Sequence, residues 1–289
     1  DMEGSRGLGD VYKRQVISRI TASLILAVLL VGPGHYQDGG DEKLKITVIQ
    51  PLTTNMERII NMTNEAESDL VIWPEAVTKF DENVSELVPN KVVIGGFFRQ
   101  ENTNVYTSAI NLKTGHHYDK RNLVPFGEFQ PFGSLLKSIN NFFNIPNSSL
   151  SRGSFYQTKA DWSALICWEL VFNETFTRRV RGTKYIVHMS NDKWYGSSMP
   201  AQHLKHAKAR AVESNKWVVR ATLDGISQII SPRSNESSVI LERGEMGSIT
   251  HEITLNSQDT FYIKHGDTPL LIISVLSLMF GIFFRKYEK

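Results

Sequence analysis

The chain has 289 residues, with 32 basic against 30 acidic side chains and a formal charge of +2. Hydrophobic residues at 41% and charged residues at 21% exclude a disordered or collagen-like chain, and the near-even charge gives no reason to expect nucleic acid. The single cysteine, Cys167, excludes an internal disulfide and cysteine-based zinc or iron–sulfur sites.

Residues 1–15 (DMEGSRGLGDVYKRQ) match no usable pattern and begin with Asp, so they read as a leader of unclear origin and are set aside. Residues 16–34 hold an apolar stretch, Val16 to Val31, broken by Ser18, Arg19, Thr21 and Ser23. It reads as a partial N-terminal transmembrane helix. A signal-peptide core is the alternative, but the exit GPGHYQDGG lacks a small-x-small cleavage site. Leu44–Gln50 alternates and is β-branched, which predicts a strand. Thr53–Glu67 fits a helix, and Asp69–Trp73 is a short apolar strand stopped by Pro74. Lys91–Phe98, Val105–Leu112 and Ser163–Trp168 are further strands, and Phe172–Arg181 is helical. Lys184–Ser190 is a strand, Pro200–Ser214 a helix, and Trp217–Thr222 and Ile226–Ser231 are strands. Strands alternating with helices predict an α/β layered domain over residues 44–262.

Residues 268–285 end the pattern with PLLIISVLSLMFGIFF, which carries no charge. A crossing helix needs about 20 apolar residues. The segment reads as a C-terminal transmembrane helix, with a buried core helix as the alternative. Lys13, Arg14 and Arg19 flank the first apolar stretch, and Arg285, Lys286 and Lys289 follow the second. The excess of basic residues inside predicts that both flanks are cytoplasmic and the domain between them lies on the outer side.

Three segments place a reactive side chain just after an apolar strand, where α/β folds commonly meet ligands. In VIWPEA, Glu75 follows a buried strand and a proline; alone it reads as an ordinary loop carboxylate, or as a general base if apolar neighbours raise its pKa. In YDKRNLVPFGE, Lys120 sits in a charged run that reads equally as a solvated turn. The apolar loop that follows would let it point inwards and steady an oxyanion. In LICWEL, Cys167 is either a small core residue or a nucleophile favoured by a nearby base and a following helix.

Taken together, WPEA, YDKRNLVPFGE and CWE resemble the carbon–nitrogen hydrolase (nitrilase) superfamily, whose members carry a Glu–Lys–Cys triad in this order. Within it, VIWPEA, KRNLVPFGEFQPF, ICWE and SNDKWYG are similar to the apolipoprotein N-acyltransferase family. That resemblance implies a four-layer αββα sandwich at a bacterial inner membrane, with the domain on the periplasmic side. It implies a Cys167 thioester that takes an acyl chain from a phospholipid donor. The acyl chain then passes to the N-terminal amine of a diacylglyceryl lipoprotein. Glu75 would be the general base, Lys120 and the Trp168 backbone N–H the oxyanion donors, and Glu128 and Glu169 supports. No cofactor is implied. The alternative is an amidase of the same superfamily acting on a small amide or nitrile. The family carries several membrane helices before this domain, so a shortened or truncated N-terminus is expected. It often has Tyr where Trp168 stands, and tends to have Asn at Leu223-Asp224.

Residues 123–150 carry more apolar surface than a solvent loop needs, including Phe126, Phe129, Phe132 and Phe142. The segment reads either as a lid that admits acyl chains or as a helix packed on the core. Phe126, Phe129, Asn191, Asp192 and Trp194 are the expected pocket wall. His203 and His206 lie on one helix with no third ligand at metal spacing, and read as solvated. A lone thiol outside the cytoplasm is easiest to explain as a nucleophile. Asn61 and Asn173 begin chance Asn-x-Ser/Thr patterns.

Overall fold

The computed structural model describes residues 41–130, 150–233 and 237–287. The expected leader, the expected helix at 16–34 and most of the expected lid lie outside the described residues.

Two sheets carry the fold. In chain order the strands are β1 (Lys43–Gln50), β2 (Leu70–Ile72), β3 (Thr78–Lys79), β4 (Val92–Glu101), β5 (Asn104–Asn111) and β6 (His117–Asp119), then β7 (Trp162–Ile166), β8 (Tyr185–Ser190), β9 (Val218–Thr222), β10 (Gln228–Ile230) and β11 (Gly247–Thr254). The larger sheet runs β11-β1-β2-β4-β5-β6, with β3 paired to β4, and the smaller runs β10-β9-β8-β7. β1, β2 and β4 are parallel, as are β7, β8 and β9. The helices are α1 (Met56–Asn64), α2 (Asn173–Val180), α3 (Ser198–Ser214), α4 (Phe261–His265) and α5 (Thr268–Tyr287).

The two-residue period of each strand sorts its side chains into layers. Ile46, Val48, Ile72 and Ile94 of the larger sheet share one core with Ala164, Ile166, Val187 and Val219 of the smaller. Ile49, Val71, Val93 and Phe97 face the other way and pack with Ile59 of α1. Leu165, Ile186 and Val218 pack with Phe176, Ala207 and Ile263 of α2, α3 and α4. This is helix, sheet, sheet, helix, the expected four layers. Gln50 pins the two sheets together: its side-chain oxygen accepts from the Thr222 and Ser227 hydroxyls, each at 2.6 Å.

The expected strand Ser163–Trp168 ends early, at Ile166, because Cys167 turns into the left-handed region. β11 went unpredicted: it is a half-exposed antiparallel edge on β1, with little apolar alternation to announce it. α5 does form, and Leu271, Leu276, Leu278 and Met279 along it are exposed. Among the described residues no helix is long and apolar enough to cross a membrane.

One glycine sets the position of the Glu75 loop. A Cβ on Gly96 would stand 2.5 Å from the Pro74 carbonyl oxygen and 2.6 Å from the Glu75 Cα. Gly96→Ala must therefore push that loop off β4. Overpacking of this kind costs about 1–3 kcal/mol. A lower urea midpoint is expected; an unchanged midpoint would show that the loop yields freely.

Candidate active site

The strand ends of both sheets supply the site. Glu75 follows β2, Lys120 follows β6, and Cys167 follows β7. At Cys167 the chain leaves the strand with φ at 56° and enters a 3-10 turn, Cys167–Val171. Ala76 and Phe126 are also left-handed, with φ at 54° and 63°. Left-handed backbone at non-glycine residues costs energy and collects where structure over-determines it.

Lys120 is fully buried. Its Nζ donates to Glu75 Oε1 at 3.0 Å and to Glu128 Oε1 at 2.7 Å. The other Glu75 oxygen accepts from the Asn191 backbone N–H at 2.9 Å, and the other Glu128 oxygen from Val124 N–H at 2.8 Å. Both carboxylates are thus aimed by backbone groups as well as by the ammonium.

Burial opposes the Lys120 charge, but the carboxylates of Glu75 and Glu128 outweigh it and hold the ammonium protonated. Burial raises Glu75 above the ordinary glutamate range; Lys120 pulls it back, and Glu128 pushes it further up. Burial also pushes the Cys167 thiol up to about 12, reinforced by Glu75 and opposed by Lys120. The resting group is therefore a thiol, and the short turn after it does not make a thiolate. A neighbouring base must take the proton as the sulfur reacts. The Tyr195 hydroxyl lies 3.8 Å from Cys167 Sγ.

Glu169, fully buried, ties the Lys120 and Cys167 turns together. Its Oε1 accepts from the Tyr118 hydroxyl at 2.8 Å, Arg121 N–H at 2.8 Å and Asn122 N–H at 3.0 Å. Its Oε2 accepts from Ile166 N–H at 2.9 Å. The Lys120 loop and the Cys167 turn thus share one carboxylate. The Trp168 indole N–H donates to the Asn122 carbonyl at 2.8 Å, repeating the tie.

The expected pocket wall divides. Phe126 is half exposed, Phe129 is half-buried with Arg152 over its ring, and Trp194 is 84% exposed. Asn191 stays at the site through its bond to Glu75. Asp192 does not line an open pocket: it is fully buried, and its oxygens accept from Ser190, His203 and Arg220. His203 departs from the solvated histidine that was expected, being buried against Asp192, while His206 is exposed. Among the described residues no group of three His, Cys, Asp or Glu side chains could hold a metal ion. Tyr195, His188 and Arg220 were not foreseen. A charge inside the otherwise apolar strand WVVRAT was the available signal for Arg220.

The strained Cys167 at a strand end, beside a buried lysine and two carboxylates, accompanies a family match. Residues 89–260 match the carbon–nitrogen hydrolases, and the chain belongs to that family. It is 32% identical to an apolipoprotein N-acyltransferase of Shewanella oneidensis over 77% of this chain and 49% of that one. It is 31% identical to the apolipoprotein N-acyltransferase of Vibrio parahaemolyticus over 84% of this chain and 54% of that one. The chain spans about half the length of these curated relatives. Among solved structures, a carbon–nitrogen hydrolase superfamily protein of Xanthomonas campestris superposes with a TM-score of 0.53 at 16% identity. The match covers 73% of this chain and 91% of that one, and shows the shared fold.

Replacing Glu169 by Ala would strip the acceptor from three backbone N–H groups and the Tyr118 hydroxyl. Each buried donor left unpaired costs about 1–3 kcal/mol. A marked drop in the urea midpoint is expected, with faster labelling of Cys167 by a thiol reagent as the two turns part. An unchanged midpoint and labelling rate would mean that other contacts hold them.

Proposed function

We propose that this chain carries the catalytic domain of an N-acyltransferase that moves a fatty acyl chain from a phospholipid to a lipoprotein amine. The observation that carries the reading is the buried Lys120 joined to Glu75 and Glu128 beside the strained Cys167. Its family membership and the names of its relatives point the same way.

Glu75 takes the proton of the Cys167 thiol as the sulfur attacks the ester carbonyl of the phospholipid. The carbonyl oxygen becomes an oxyanion. Lys120 Nζ has three N–H groups, two of them given to Glu75 and Glu128, and the third serves the oxyanion. The Trp168 N–H, at the start of the 3-10 turn, is the second donor. Collapse breaks the ester C–O bond, and Glu75 returns the proton to the leaving alkoxide. The products are a lysophospholipid and a Cys167 thioester. The α-amine of a diacylglyceryl cysteine then attacks the thioester and loses its proton to Glu75. The amide forms, and the proton restores the Cys167 thiol. A raised Glu75 pKa suits both transfers, because it narrows the gap to the thiol.

The exposed apolar side chains of α5 support a membrane contact, and we place the domain at an inner membrane with its catalytic part on the periplasmic side. The exposed Phe126 and Trp194 are the aromatic side chains offered to entering acyl chains.

The chain is tested with a phospholipid that carries a labelled acyl group. The expected result is a hydroxylamine-sensitive label on the protein, with lysophospholipid released and label passed to a diacylglyceryl-cysteine peptide. Cys167→Ala abolishes all three. Undiminished labelling in that variant, or ammonia release from small amides without lipid, overturns the reading. For α5, vesicle flotation of the whole chain is expected, and loss of flotation when Leu271, Leu276, Leu278 and Met279 are changed to Ser. Flotation unaffected by those changes would remove α5 as the contact.

A further inference from the structure

Behind Cys167 lies a line of buried polar groups that the proposed chemistry leaves unused. His188 of β8 and Arg220 of β9 are paired in register across the two strands. On the same face, Leu165, Ile186 and Val218 pack on the helices. Both are fully buried, which costs free energy unless every group is paired. Arg220 spends its donors on three partners. Nε donates to the Ile226 carbonyl at 2.8 Å, one terminal nitrogen to Asp192 Oδ2 at 2.6 Å, and the other to His188 Nδ1 at 2.7 Å.

That last bond fixes the imidazole. A guanidinium only donates, so Nδ1 accepts and the ring hydrogen sits on Nε2. Nε2 then donates to the Cys167 carbonyl oxygen at 2.8 Å. Burial and the Arg220 charge hold His188 well below the usual imidazole range, in keeping with a neutral ring. The Cys167–Trp168 peptide is trans, so its carbonyl and its N–H point to opposite sides. A hydrogen bond on the carbonyl from within the fold therefore turns the Trp168 N–H outwards. It also strengthens that N–H as a donor, because amides in a chain polarise one another.

We propose that His188, backed by the charge of Arg220, aims and polarises the Cys167–Trp168 peptide so that the Trp168 N–H serves the oxyanion. Both are positioning residues, since neither touches the reacting atoms. The inference rests on the acyl-transfer reading of Cys167.

Two reactions of the same thiol test it, run on the whole chain at one pH. p-Nitrophenyl butyrate acylates Cys167 through a tetrahedral oxyanion, expelling p-nitrophenolate. Iodoacetamide alkylates it by direct displacement of iodide, with no oxyanion. His188→Leu is expected to slow acylation by about 10–100-fold, short of the 10²–10³-fold lost with a whole donor, and to leave alkylation within about twofold. His188→Gln, which keeps a donor for the carbonyl, is expected to recover most of the acylation. Equal losses in both reactions, or no loss in acylation, overturn the proposal. Should His188→Leu fail to fold, nitrogen-15 NMR of the unaltered chain decides. A neutral ring with hydrogen on Nε2 is expected, and an imidazolium or an Nδ1–H tautomer overturns the proposal. Acylation by the ester but not by phospholipid would refute the lipid-donor reading and leave this inference intact.

Discussion

The arrangement at the strand ends depends on the buried ammonium of Lys120. Lys120 has no exposed surface, and an ion so placed costs several kcal/mol in lost hydration. Glu75 and Glu128 offset that cost with direct bonds, but they bring two negative charges for one positive. The imbalance is useful. It keeps the lysine charged while leaving Glu75 hungry for a proton. Burial and the same excess of negative charge keep the thiol next to them protonated.

Holding that cluster requires the two sheets to keep register at their strand ends. Glu169 bonds the Lys120 loop and the Cys167 turn at once, and Gln50 joins β1 to the β9–β10 end of the smaller sheet. The left-handed Cys167 lies in the turn so fixed, Ala76 is held by the bond from the Val77 N–H to the Gly96 carbonyl at 2.9 Å, and Phe126 donates its N–H to the Phe129 carbonyl at 2.8 Å. Strain of about 1–3 kcal/mol at each is sustained by those bonds. The site is thus set before any ligand binds, which is what electrostatic catalysis needs.

Much of this was legible in the sequence. The parallel strands β1, β2, β7, β8 and β9 were read correctly in place because buried strands are nearly continuous apolar, β-branched runs. β6 was hidden by the charged run that follows it: Asp119 turns to Arg99 and Ser108 while its neighbour Lys120 turns inwards. No sequence period distinguishes those two directions. Glu75, Lys120 and Cys167 were individually unremarkable and informative only as a set. Asp192 was misplaced to a pocket wall because its burial depends on a distant glycine. A Cβ on Gly225 would meet Asp192 Oδ2 at 2.6 Å, a contact that no local pattern reveals. Tyr195 reaches the sulfur through the path of the SNDKWYG loop, which spacing alone cannot give.

One small contact has a wider meaning. The Leu150 N–H donates to the Glu128 carbonyl at 2.8 Å, and the Ser151 N–H to the Val105 carbonyl at 2.7 Å. Leu150 and Ser151 thus form a clasp of two backbone hydrogen bonds between the Glu128 segment and β5. The carboxylate that meets Lys120 is therefore anchored to the larger sheet through the backbone, and its hold on the ammonium does not rest on side chains alone.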